Sequence, residues 1–191
     1  RSAAEASLRR LRSGQRLDDG DVALSDFLFD ALVRCAGDLG LTVALHTGFI
    51  FRVHPKTHAN QLAGLLERHS DVQFDLFHLN YPWLDDLVVL LHQFPNTTAN
   101  CVWAQLLDPA ATEEFLLRTV GSLPAQRVIG FGSDAPGLSS VLASLSVTKD
   151  IMAAALARLV DRRQISRQAA LDVARIWLYE APCDAYRLGR P

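Results

Sequence analysis

Arg127-Val128-Ile129-Gly130-Phe131-Gly132-Ser133-Asp134-Ala135-Pro136 is the stretch that decides the fold. An apolar run with two glycines ends on a carboxylate and then meets a proline. A strand buried inside a parallel sheet reads as a nearly continuous apolar run. Asp134 therefore marks where the chain leaves the sheet, and Gly130 and Gly132 let neighbouring backbone approach closely. Three earlier segments share this form: Leu41 to Gly48, with His46 near its end; Phe74 to Asn80, with His78; and Thr97 to Trp103.

The four runs start at 42, 74, 97 and 128, with intervals of 32, 23 and 31 residues. Helical periodicity fills the gaps. One helix spans about His58 to His69, with Leu62, Leu65 and Leu66 on one face. Another spans about Leu84 to Phe94. A third begins near Pro109, with Phe115, Leu116 and Val120 inward. Strand and helix alternating every ~30 residues indicate βαβ units and parallel strands. Before the first run, Phe27, Leu28, Ala31, Leu32, Cys35, Ala36 and Leu39 recur at helical spacing after Ser25 as N-cap, and Gly40 ends the helix. After the fourth run the chain is helical, from Ser139 to Arg162 and again from Ser166, until Pro182 stops or restarts it. Residues 1–20 form a polar, Arg-rich segment: a frayed helix, its Arg9, Arg10 and Arg12 solvated, followed by a turn at 18–20. The expected fold class is α/β in a single domain, 1–191. Doubly wound sheets and (β/α)8 barrels both use such units, and the periodicity does not separate them.

Composition narrows the function classes. Of 191 residues, 49% are hydrophobic and 21% charged, as in an ordinary globular chain rather than a disordered one. A net charge of −2 gives no electrostatic footprint for nucleic acid or an anionic membrane. No uninterrupted apolar run approaches ~20 residues, and the expected location is the cytoplasm. Cys35, Cys101 and Cys183 are odd in number and widely spaced, with no C-x-x-C pair, which argues against a disulfide framework or a zinc knuckle. Cys35 and Cys101 are expected in the core.

The polar residues at the strand ends carry the chemistry. Barrels and open α/β sheets both place their sites beyond the carboxyl ends of parallel strands. His46, His78 and Asp134 all fall there. Two imidazoles and a carboxylate on one rim suit a divalent metal, zinc foremost, with an open position for water. Asp134 would then serve as ligand and general base. A lone histidine at a strand end is more often structural, and a strand-terminal aspartate often fixes a turn; it is the recurrence that raises the metal reading. Arg52 is placed to clamp a substrate carboxylate, against the alternative of a surface loop arginine. Tyr81 and Trp83 are candidate pocket walls and Trp103 a candidate floor, each weighed against plain packing. His54 and His58 stand four apart, but Pro55 between them and the lack of a glutamate argue against a metal pair. His69 and His92 read as exposed. Asp85-Asp86 and Glu113-Glu114 fit the first turns of helices. The nucleophile elbow G-x-S-x-G and a phosphate-binding glycine loop are both absent.

At these residues the sequence resembles the second half of the amidohydrolase-related family, metal-dependent (β/α)8 hydrolases and decarboxylases. The resemblance rests on ALHTGF (44–49), DLFHLNYPW (75–83), NCVW (100–103), GFGSDAP (130–136) and the closing helices from Ile165, over roughly residues 22–188. It is nearest to the subgroup containing amidohydrolase-like domains associated with glutamine synthetase-like proteins and distant relatives of uronate isomerases. The resemblance implies a partial TIM barrel, strands five to eight with their helices plus C-terminal helices. It implies His46 as a metal ligand, His78 as a ligand or hydrogen-bonding neighbour, and Asp134 as ligand and base.

One departure matters. The family carries a His-x-His pair after strand one, and this sequence has none; the residue some members contribute from strand four is also missing. The chain thus corresponds to half a barrel with an incomplete ligand set. Three expectations follow: a metal-dependent hydrolase acting on a small polar, carboxylate-bearing molecule; a metal-independent isomerase or decarboxylase in which Asp134 and His78 move protons; or an inactive fragment or assembly partner. Open strand edges and an uncovered apolar face would favour a homo-oligomer or association with a missing N-terminal half.

Overall fold

A computed structural model describes residues 1–18, 22–50 and 54–189. Helix α1 (Ser2–Arg12) packs on α2 (Ala23–Asp38), burying Ala4 and Ser7. It is therefore a docked helix, with Arg9, Arg10 and Arg12 exposed. Helix α2 begins two residues before the expected cap: Ser25 lies inside it and its hydroxyl donates to the Val22 carbonyl. Strand β1 (Val43–His46) follows, then two 3₁₀ turns and α3 (Ala63–Arg68), β2 (Phe74–Phe77), α4 (Leu84–Gln93), β3 (Thr97–Asn100), α5 (Ala104–Leu107), α6 (Pro109–Thr119) and β4 (Val128–Ile129). Three helices close the chain: α7 (Leu138–Asp161), α8 (Arg167–Arg175) and, after a π turn over Ile176–Glu180, α9 (Ala181–Ala185).

The four strands form one parallel sheet in the order β1-β2-β3-β4. Each strand lies beside its sequence neighbour, with no reversal of order. A doubly wound sheet reverses at its switch point, and these four strands contain no such reversal. Right-handed crossovers in such an order put the connecting helices on one face. That face holds the core: Phe74, Leu76, Ala99 and Val128 pack with Leu66, Leu87, Leu91, Phe115, Leu116, Met152 and Ala155. Burying a side chain such as Phe74 contributes roughly 1.5–3 kcal/mol.

The opposite face alternates with it and mixes polar and apolar residues. It carries Ala44, His46, Asp75, Phe77, Thr98, Asn100 and Ile129. Helix α9 covers the β4 side, where Ala181 and Ala185 pack on Ile129. Tyr186, just past α9, donates a 2.6 Å hydrogen bond to Asp75 Oδ2. The outer edge of β4 is met by the π turn, Gly130 N–H donating to the Trp177 carbonyl at 2.9 Å. Ala44 and His46 on β1 stay exposed.

Several expectations change. The stretch from His58 starts as a 3₁₀ turn, and only Ala63–Arg68 is α-helical. Cys35 is exposed, whereas Cys101 is buried just past β3. The reason is that the α2 face bearing Leu28, Leu32 and Leu39 meets no partner among the described residues; Leu32 and Leu39 are each 67% exposed. His69 is buried and bonded to Asp30 at 2.8 Å, joining α3 to α2. Glu113 and Glu114 sit a turn into α6, whose cap is Asp108, and pair with Arg158 and Arg118. Helix α7 is long and apolar enough to cross a membrane, but Ile151, Met152, Ala155, Leu156 and Leu159 bury one side of it in the core.

Candidate metal centre

All four strands are shorter than the apolar runs in the sequence, because the polar end of each run lies in a non-repetitive exit. His46 is the last residue of β1. His78 follows β2 directly and opens three consecutive residues in left-handed backbone: His78 at φ 68°, Leu79 at 50° and Asn80 at 54°. L-residues avoid that region at a cost of about 1–2 kcal/mol each. The bend persists because Asn80 is tied on both sides: its Oδ1 accepts from Ala59 N–H and its Nδ2 donates to the Trp83 carbonyl, each at 2.8 Å. Trp103 (φ 62°) and Asp134 (φ 42°) occupy the same backbone region. Five of the seven non-glycine residues with positive φ among those described therefore lie at strand exits on one rim. Strain of this kind clusters at functional sites.

Close approach completes the rim. Gly48 (φ 68°) has no room for a side chain, since a Cβ would stand 2.3 Å from the Tyr81 carbonyl oxygen. The exits of β1 and β2 are joined there by Phe49 N–H donating to Tyr81 O at 2.8 Å. At Gly132 a Cβ would stand 2.8 Å from Val102 Cβ and 2.9 Å from Asn100 Oδ1. At Gly130 it would meet Met152 at 2.8 Å. Both glycines do allow close approach, but of the side chains of Met152, Trp177, Val102 and Asn100 rather than of the expected neighbouring backbone.

The exits bring His46, His78 and Asp134 together, with one donor atom from each lying within 4.8 Å of the others. His46 Nδ1 is 2.8 Å from His78 Nε2. His78 Nδ1 is 2.8 Å from the Val102 carbonyl. A carbonyl only accepts, so Nδ1 carries the proton and the Nε2 lone pair faces His46. Burial holds the His78 imidazole below its usual range, opposed by the Val102 carbonyl; the nearby His46 lowers it further and Asp134 raises it. The lowered pKa favours the neutral imidazole. A neutral imidazole whose second nitrogen is fixed by a backbone carbonyl, a neighbouring imidazole nitrogen and a carboxylate form a donor set that fits a divalent cation. Trp103 stacks on His78, with centroids 5.1 Å apart and planes at 22°.

Other candidates lie elsewhere. Trp83 packs against His58, centroids 4.6 Å apart, and lines a separate cavity of about 370 Å³ with Asp85, Glu114 and Arg118. Tyr81 is half-buried, its hydroxyl 3.4 Å from Asp108. Arg52 lies outside the described residues. His58 donates to Asp86 from Nε2, while the Nδ1 atoms of His54 and His58 accept from Lys56 and Asn60 N–H. Both histidines therefore cap turns.

Sequence reasoning missed the inner polar residues. Asp75 is fully buried and accepts from Tyr186, Asn100 and Thr98. Burial raises its carboxyl above the usual range, against those three hydrogen bonds. Gln105, also fully buried, donates to the Gly132 carbonyl at 3.0 Å. The available signal was an acid in the middle of a strand and an asparagine at the end of another.

Comparison with known proteins now bears on this geometry. An amidohydrolase family profile matches residues 1–174. The chain belongs to the amidohydrolase family. Among solved structures, this amidohydrolase chain is similar to a uronate isomerase of Thermotoga maritima (TM-score 0.83, 16% identity, 97% of this chain and 46% of that one). It is also similar to a Lactobacillus casei protein named as a metal-dependent hydrolase (0.70, 14%, 97% and 49%). A third similarity is to an uncharacterized TIM-barrel protein of Bordetella bronchiseptica (0.60, 15%, 88% and 50%). The chain thus spans about half the length of each. No curated protein matches the sequence.

Proposed function

We propose that this chain supplies half of a (β/α)8 barrel and part of a metal-dependent hydrolase site in which His46, His78 and Asp134 hold one divalent cation. The observation that carries the reading is the convergence of three donors from three separate strand exits to within 4.8 Å. A bound divalent metal would supply a water of lowered pKa, near ~7 in the best-studied zinc sites. His78 offers Nε2 because Val102 occupies Nδ1. Asp134, exposed at the rim, accepts a proton from water or substrate as general base. Trp103 walls the site through its stack on His78. The substrate class is a small polar molecule bearing a carboxylate, with Arg52 as the candidate clamp.

Barrel completion is part of the same reading. The apolar face of α2 and the groove between α7 and α8, lined by Met152, Leu156, Val160, Ala170, Ala174 and Leu178, flank the sheet. Four further β/α units or a second copy would cover them and bring the remaining ligands. Without that completion the chain is expected to be catalytically silent.

A second reading draws on the 2.8 Å contact between His46 and His78. Two rings sharing a proton form a metal-free shuttle, as a uronate-isomerase-like or decarboxylating reaction requires. Metal analysis after zinc loading separates the two. The metal reading predicts about one equivalent, abolished in His46→Ala and Asp134→Asn. Less than a tenth of an equivalent, unchanged by either substitution, would leave the proton-shuttle reading.

A further inference from the structure

Asn100 is the last residue of β3, faces the inner side of the sheet and is 4% exposed. Its side chain is committed on both ends. Oδ1 accepts from Val102 N–H at 3.0 Å, and Nδ2 donates to Asp75 Oδ2 at 2.8 Å. Val102 N–H fixes which end is oxygen, since only the oxygen can accept.

The segment that Asn100 grips is strained. The Val102 carbonyl accepts from Ala104 N–H at 2.8 Å across Trp103, which sits at φ 62°, ψ −30°. A three-residue turn with a positive central φ is the rare, strained form. The same carbonyl accepts from His78 Nδ1, and the same Trp103 ring stacks on His78. Relaxing this turn would move the acceptor and the stacked ring away from His78 together. On its other side Asn100 Oδ1 lies against Gly132, where there is no space for a Cβ. Gly132 is two residues before Asp134.

We infer that Asn100 is a positioning residue: by holding Val102 N–H it keeps the strained turn at Trp103, fixes His78 as its Nδ1–H tautomer with Nε2 aimed at the donor cluster, and seats the segment that delivers Asp134. The inference rests on the metal reading for its purpose and on the hydrogen bonds alone for its mechanism. Outer neighbours of a histidine ligand typically change metal affinity 10–100-fold when removed.

The test uses the metal-free chain with ¹⁵N-labelled histidine. Long-range ¹H–¹⁵N correlations read each ring's tautomer, and His78 is assigned by its loss in His78→Gln. The wild-type chain is expected to show His78 as the Nδ1–H form. In Asn100→Ala that form gives way to a mixture, and cobalt(II) binding weakens at least ten-fold. His58 and His69, held by Asp86 and Asp30, should keep their signals and so report an intact fold. If they do not, Asn100→Val, which suits a strand but carries no acceptor for Val102 N–H, is read in the same way. Asp75→Asn, which leaves the Asn100–Val102 bond in place, should preserve the tautomer. A folded Asn100 variant that keeps the Nδ1–H form, with cobalt affinity within two-fold of wild type, overturns the inference. A wild-type chain that binds no cobalt refutes the metal reading instead and leaves the tautomer measurement to decide this one.

Discussion

At the residue scale the most informative group is Asp75. It lies in the middle of β2 and is buried, with three donors around it. Its folded pKa is raised, chiefly by burial. A carboxyl raised above its unfolded value of about 3.9 contributes stability that is complete below that value and is lost as pH rises through the folded pKa. The melting temperature of the wild type relative to Asp75→Asn should therefore fall as pH is raised from about 4 to 8, measured by circular dichroism. A difference that does not change with pH would refute the assignment. Tyr186→Phe removes one donor from this carboxylate and should cost about 1–3 kcal/mol in denaturant unfolding. Gly48→Ala should cost at least as much, because its Cβ meets fixed backbone at Tyr81 and its φ is 68°. Cys101, whose thiol is pushed up to about 12 by burial and by Asp75, should be inert to thiol reagents while exposed Cys35 reacts.

At the scale of elements, the sequence made the alternation of strands and helices plain, because each parallel strand is buried and each helix shows a period near 3.6. His46, His78 and Asp134 were legible for a related reason: each interrupts an apolar run. The left-handed exits at His78–Asn80, Trp103 and Asp134 were not, since positive φ stays uncommon even at His, Asn and Asp, where it is enriched, and nothing local favours it at leucine or tryptophan. They depend on partners distant in sequence, such as the Ala59–Asn80 bond. Asn100 and Asp75 were hidden similarly: a polar residue in a short strand acquires its meaning only from a neighbouring strand, or from Tyr186, 111 positions away. Cys35 failed in the opposite direction. Its helix has a sound apolar face, but a periodic face says nothing about whether another element covers it. The C-terminal helix was better marked. Ser166 caps α8 by accepting from Ala169 N–H at 3.1 Å, and Ser166→Ala should cost about 1 kcal/mol. Pro182 restarts the helix as α9 after the π turn.

For the whole molecule, the sheet is covered on one face by helices and on the other, among the described residues, by α9 beside β4 and by Tyr186 over Asp75 of β2. Ala44 and His46 on β1, together with the leucines of α2, face outward. Such a surface favours association, so multi-angle light scattering is expected to show a dimer or larger species, and a compact soluble monomer would contradict this. The metal account needs less than a complete barrel, because its three donors already converge within the described residues. Its most direct test is anomalous diffraction at the zinc edge from zinc-soaked crystals of this chain. The predicted result is one peak within bonding distance of His46, His78 and Asp134 together. A peak at another site, or none at this one, would contradict the account.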